Sequence, residues 1–189
     1  MNQIAHRPYE IGIVRSPLGG DRIIVSGTDS LVNLFKEYYG GLDREMVLGV
    51  VIDDINQLLG IYEISRGSSA EAPIDPVNVF RPAILLNGSK VLVVHNHPTG
   101  DLRPSEGDVR SAKALFMLAS LLDLEMSDNI IINAESGEYA SVHAAPEFRR
   151  WLGEDLLRIA TLMSGADITA EQRSAADELA KLTSEMDNG

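Results

Sequence analysis

The 189 residues are enough for one domain with a real hydrophobic core, and the 44% apolar and 23% charged content is ordinary for a globular chain. A net charge of −12 counts against nucleic acid as the main partner, because affinity for a phosphate backbone comes from clustered Lys and Arg, and here Arg103, Arg110 and Lys113 are scattered. The absence of cysteine leaves only His and carboxylates to hold a metal, no apolar run approaches a bilayer span, and the start MNQIAHRPYE lacks an export pattern, so a cytoplasmic protein without a membrane anchor is expected.

Residues 1–44 read as an N-terminal arm and helix packed on the domain. Ile11, Ile13 and Ile23-Ile24-Val25 are strand-like around the turn Gly19-Gly20-Asp21, so a short hairpin and an extended arm both fit. Thr28-Asp29-Ser30 offers an N-cap to a helix carrying Leu31, Leu34, Phe35 and Tyr38, which Gly40-Gly41 ends. MVLGVVI (Met46–Ile52) predicts a buried strand, and Asp53-Asp54-Ile55-Asn56 turns it into a return strand over Leu58–Ser65. Strict alternation along that strand would put Leu59, Ile61, Glu63 and Ser65 on one face. Glu63 would then stand among apolar neighbours, where a carboxylate needs a partner or a task.

Asp75-Pro76 supplies an N-cap and a first helical position, and Asn87-Gly88 a stop. Pro82 should kink or shorten the helix between them. Lys90–Val94, apolar from Val91 onward, is a central strand leading to His95, and Ser105–Asp123 is the clearest helix, with Val109, Ala112, Leu115, Phe116, Ala119 and Leu122 at three- and four-residue steps. Asn129–Asn133 and Tyr139–Val142 close the pattern as strands. Strands alternating with helices in this way predict an α/β fold with a mixed sheet flanked by helices, its core at 45–145. Residues 146–189 form a C-terminal helical extension: one helix over Pro146–Met163, and a last one with a Thr169/Gln172 capping box and Ala175, Leu179, Leu182 and Met186 at heptad-like spacing. The oligomeric state is not specified by these patterns.

His95 and His97 are separated by one residue, which puts both imidazoles on one side of an extended segment. Pro98 and Gly100 let the chain turn back, and Asp108 returns three residues after Ser105 at a helix start. Two nitrogens and one carboxylate oxygen leave a fourth position open, as a catalytic zinc site requires. Each half also has a plain structural reading: Ser-x-x-Asp is an ordinary capping box, and a lone His-x-His pair is often incidental.

His95-Asn96-His97-Pro98, six residues, then Ser105-Glu106-Gly107-Asp108 match the H-x-H-P-x6-S-x-x-D pattern of the JAMM (MPN+, JAB) metallopeptidases, and HNHPTGD resembles the RadC-like branch of that superfamily. The likeness runs from Leu48 to Val142. It implies a JAB/MPN-like, cytidine-deaminase-like fold in which His95, His97 and Asp108 ligate Zn²⁺ and the metal-bound water attacks a carbonyl. It further implies Glu63 as the proton-transferring carboxylate and Ser105 as a donor to the developing oxyanion. The activity implied is hydrolysis of a peptide or isopeptide bond in a substrate with an extended tail, of which the C-terminus of a ubiquitin-like protein is the family's example. The alternatives are a RadC-like protein associated with DNA repair and a non-catalytic MPN-type interaction scaffold.

Two features depart from the branch. Asp128-Asn129 stands where Asp-His is usual, so a group that could orient a ligand is missing, and the short N-terminal region shows no helix-hairpin-helix pattern. His143 reads as a surface-loop histidine, Asp101 as a carboxylate serving its own loop backbone, and Trp151 as core.

Overall fold

The computed structural model describes residues 13–14, 22–40, 42–67, 74–133 and 135–153. The expectations for His6, the end of the helix after Pro146 and the final helix with Leu179 and Leu182 lie outside the described residues. In chain order the elements are β1 (Ile13–Val14), α1 (Asp29–Tyr39), β2 (Glu45–Ile52), β3 (Leu58–Gly67), α2 (Pro76–Leu85), β4 (Lys90–Asn96), α3 (Glu106–Leu121), β5 (Glu125–Ile132) and β6 (Tyr139–Ser141). Residues 146–153 are helical as well.

The strands form one six-stranded sheet in the order β1-β3-β2-β4-β5-β6. Every neighbouring pair is antiparallel except β4 and β5, which the α3 crossover makes parallel. The sheet is therefore mixed, as the alternation of elements predicts. β4 lies inside it with Val91, Val93 and Val94 fully buried, which accounts for its unbroken apolar run. Among the described residues the two N-terminal stretches pair with β3 and not with each other as a hairpin would require, and the expected turn Gly19-Gly20-Asp21 lies outside the described residues. Ile13-Val14 pairs with Tyr62 and Ile61, and further along Ile24 bridges to Gln57, so both stretches follow the same edge of β3.

Two apolar layers sandwich the sheet. On one face Leu31, Phe35 and Tyr39 of α1 pack against Met46, Leu48, Val50, Leu92, Val94 and Ile130. On the other, Val79, Phe80 and Ala83 of α2 and Leu115 and Ala119 of α3 cover Val47, Val51, Tyr62, Val91 and Val93. Burial of a Val, Leu or Phe side chain contributes roughly 1.5–3 kcal/mol, so this sandwich is the main source of stability. α1 needs no side-chain cap, since Thr28 makes none, whereas the Asp75 side chain accepts from Val77 N–H at 3.0 Å and starts α2 at Pro76. Pro82 neither breaks nor shortens α2, which continues to Leu85.

The strict alternation expected of β3 does not hold. Register shifts opposite Val47/Leu48 and Val51/Ile52 introduce irregularities. As a result Leu58 and Ile61 join the α1-side cluster, while Leu59, Tyr62 and Ile64 join the other. Glu63 pairs across the ladder with Leu48 and so belongs to the α1 side.

Gly49 of β2 stands opposite Tyr62, whose hydroxyl donates to the carbonyl of Val79, and a Cβ at Gly49 would overlap the tyrosine ring. Gly49→Ala is expected to lower stability by about 1–3 kcal/mol through overpacking, read as a lower denaturant midpoint with an unchanged slope.

Candidate metal centre

β4 runs apolar until it leaves the core, where His95 is still buried at 3% exposure. Its cross-strand partner is Val47, so the imidazole lies on the α2/α3 side of the sheet. The strand ends at Asn96, and His97 follows it directly. A tight turn then brings Gly100 N–H to the carbonyl of His97 at 2.9 Å. Gly100 has φ +73°, a conformation glycine adopts freely, and a Cβ there would lie 3.1 Å from Nδ2 of Asn133. That amide donates to the carbonyl of Gly100 at 3.3 Å, pinning the loop to the end of β5.

The turn also sets the orientation of His97. Its Nδ1 lies 2.8 Å from the carbonyl of Asp101, a contact that turns Nε2 toward the centre. Asp101 serves its loop as expected, its carboxylate accepting from the Arg103 amide at 3.0 Å and from the guanidinium, and the arginine holds its pKa down at about 2. The use of its carbonyl to orient His97 is not visible in the residue type. His95 has no such support: its Nδ1 is buried and finds no partner among the described residues.

Ser105 starts α3 with a full capping box. Its hydroxyl accepts from Asp108 N–H at 3.1 Å, and its own amide donates to Asp108 Oδ2 at 2.7 Å. The Ser105 hydroxyl also lies 2.7 Å from Oδ2 and donates to it. The cap and the site are thus one structure, because the cap fixes the Asp108 carboxylate against the histidines.

Nε2 of His95 lies 3.3 Å from Nε2 of His97 and 3.1 Å from Asp108 Oδ1, while His97 Nε2 lies 3.4 Å from Oδ2. Zn–N and Zn–O bonds near 2.0–2.2 Å in a tetrahedron put neighbouring ligand atoms about 3.3–3.5 Å apart. The donor set therefore fits a zinc-sized ion almost as it stands, and these are the residues whose ligand atoms converge within 4.8 Å among the described residues. Burial pushes the Asp108 carboxyl up, but hydrogen bonds from His95, His97 and Ser105 outweigh it and hold it well below the usual carboxylate range. The hydrogen bond to Asp108 raises His97 against the opposing effect of burial.

Glu63 is not brought to this cluster. It sits on the α1 side of the sheet, opposite the His95 face, with its side chain 44% exposed and Oε2 2.7 Å from the Arg66 guanidinium. The reason is strand register: Glu63 stands opposite Leu48 and shares the α1 side with Ile61, whereas His95 stands opposite Val47 on the other face. The carboxylate that the fold does bring near is Glu45, the first residue of β2. It has the parity of Val47, which faces His95, and continuing the β2–β4 register would set it opposite His97. Burial raises the Glu45 carboxyl, the two histidines lower it and Asp108 raises it further, so it lies within electrostatic reach of all three. The sequence signal for Glu45 was slight: a charged residue immediately ahead of a buried strand that pairs with the histidine strand.

Asn129 is buried on β5 beside Val93, with its Oδ1 unpartnered among the described residues. His143 lies in the turn after β6, as expected, but it is largely buried and not on the surface. Its side chain is 16% exposed, stacks on Phe148 at 4.2 Å between ring centroids, and places Nδ1 3.7 Å from Asp128 Oδ1. Burial lowers its pKa, with Asp128 opposing. No hydrogen bond among the described residues links Asn129 or His143 to His95, His97 or Asp108. Trp151 joins the same aromatic group, 5.3 Å from Phe148, as core packing predicts.

A family model described as the RadC-like JAB domain matches residues 25–147. The UPF0758 protein TTE0897 of Caldanaerobacter subterraneus subsp. tengcongensis is 32% identical over 118 residues, covering 62% of this chain and 51% of that protein. A UPF0758 protein of Finegoldia magna is 29% identical over 114 residues, 60% of this chain and 51% of its own length. Another from Roseiflexus sp. is 30% identical over 134 residues, 70% and 57% of the two chains. The chain spans about half the length of the curated relatives it matches.

The ion pair of His97 and Asp108 makes the stability of the metal-free protein depend on pH. Asp108 is depressed, so its contribution is present above its ordinary 3.8 and is lost only as pH falls through its lowered value. His97 is raised, so its contribution is full below 6.5 and is lost as pH rises through its raised value. The stability gap between wild type and His97→Gln, from urea midpoints of chelator-treated protein, should therefore be widest between those two pH values and narrow on the alkaline side.

Proposed function

The chain belongs to the RadC-like JAB domain family, and from that premise we propose that it is a zinc-dependent hydrolase of peptide or isopeptide bonds. The observation that carries the reading is the convergence of His95, His97 and Asp108 at separations suited to a tetrahedral ion. Zn²⁺ held there would lower the pKa of a bound water and polarise a carbonyl oxygen. Two imidazoles and one carboxylate leave a position open for that water, the ligand count of a catalytic rather than a structural site.

The chain's own groups supply the proton transfers. Glu45, within electrostatic reach of the cluster and raised by burial, takes a proton from the attacking water and returns it to the leaving nitrogen. Ser105 holds Asp108 in place. In this reading its hydroxyl turns to donate to the oxygen of the attacked carbonyl, where negative charge develops. The substrate is an extended peptide tail, the tail of a ubiquitin-like protein being the class to try first. The acidic net charge of −12 supports a protein substrate over a nucleic acid.

Calorimetric titration of chelator-treated protein with Zn²⁺ should show one tight site that is lost in His95→Ala and Asp108→Ala; no binding to the wild type sinks the reading. Glu45→Gln should keep that site but cut hydrolysis of a quenched-fluorescent peptide bearing the tail of a ubiquitin-like protein by about 10²–10⁴-fold. Glu63→Gln should cleave at the wild-type rate, and the reverse pattern would return the proton-transfer role to Glu63.

A further inference from the structure

We infer that Asn96, the residue between the two histidines, is a positioning residue that holds Glu45 in place from the opposite face of the sheet. The inference rests on the reading of Glu45 as the site's proton-transferring carboxylate. Main-chain pairing between β2 and β4 ends at Val47 and His95. Beyond that point the Asn96 side chain takes over. Its Oδ1 accepts from Met46 N–H at 2.9 Å, and its Nδ2 donates to the carbonyl of Arg44 at 3.1 Å. These are the main-chain groups on either side of Glu45.

The residue type suits the task. Only a carboxamide offers an acceptor and a donor at one branch point, as bridging an N–H and a C=O requires. Asn96 is 5% exposed, so each bond lost would leave a poorly solvated main-chain group without a partner. On its other edge Glu45 pairs with Gly67 of β3. A residue at the very start of a strand, where fraying is usual, is thus held from both sides. Alternation explains why the tie does not interfere with ligation: His95 points to the α2/α3 side, and the neighbouring Asn96 does not. A single extended tripeptide would deliver the two imidazoles to one face and brace their partner carboxylate from the other.

The test uses the full chain loaded with Co²⁺, whose paramagnetism relaxes nearby nuclei, and glutamate labelled with ¹³C at the side-chain carboxyl. In the wild type the Glu45 signal, assigned by its loss in Glu45→Gln, should be strongly relaxed and the Glu63 signal hardly affected. In Asn96→Ala the Co²⁺ affinity should be preserved, while relaxation of Glu45 falls several-fold and the Met46 amide exchanges faster. Asn96→Asp, which keeps the acceptor but loses the donor to Arg44, should fall between the two. Undiminished relaxation of Glu45 in Asn96→Ala overturns the positioning role and leaves the metal reading intact. Loss of Co²⁺ binding in Asn96→Ala also overturns it, by showing that Asn96 supports the histidines instead. If both Asn96 variants fail to fold, the residue is a stability element and the inference falls. Failure of the wild type to bind Co²⁺, or bound Co²⁺ without relaxation of Glu45, removes the underlying reading and this inference with it.

Discussion

A largely buried carboxylate, that of Asp108, is the constraint around which this end of the sheet is arranged. Burial makes its charge costly, and three donors meet that cost: His95, His97 and the capping residue Ser105. The start of α3 adds its own favourable field for an anion. The donors come from a strand end, the first residue beyond it and a helix cap, so none can shift without exposing the carboxylate's need. The tight loop from Pro98 to Pro104 closes this circuit, and Asn133 fastens the loop to β5.

The opposite face of the sheet bears on the same point. Tyr39, buried in α1, donates its hydroxyl to the carbonyl of Val94 at 2.6 Å, one residue ahead of His95. Asn96 ties the strand end to β2. The histidine strand is therefore braced by the α1 layer while its imidazoles face the α2/α3 layer. This division of labour follows from the two-residue period of a strand, which gives neighbouring residues opposite faces.

The local parts of the site were legible because they need little tertiary information. His95 and His97 share a side on any extended segment, and Ser105 and Asp108 meet in any capped helix start; the short loop between them leaves few ways to arrange the pairs. Element types were legible for the same reason, since the apolar run of β4 and the helical spacing of α3 are local patterns. Glu63 was assigned to the site by resemblance; it shares a face with Ile61 as alternation requires, but that face is the α1 side, because Leu48 and not Val47 stands opposite it. Glu45 was overlooked because nothing local marks it: its nearness to His97 depends on which residue of β2 stands opposite which residue of β4. His143 carried the same difficulty, since its stacking on Phe148 joins a loop to a helix and leaves no periodic trace.

By itself the sequence determined the family, the α/β alternation and the convergence of His95, His97 and Asp108, because covalent nearness and secondary-structure period already bring those side chains together. The tertiary structure alone decided which carboxylate faces the trio and what Asn96 holds. Both answers depend on strand register, and a slip of one residue exchanges one face of the sheet for the other.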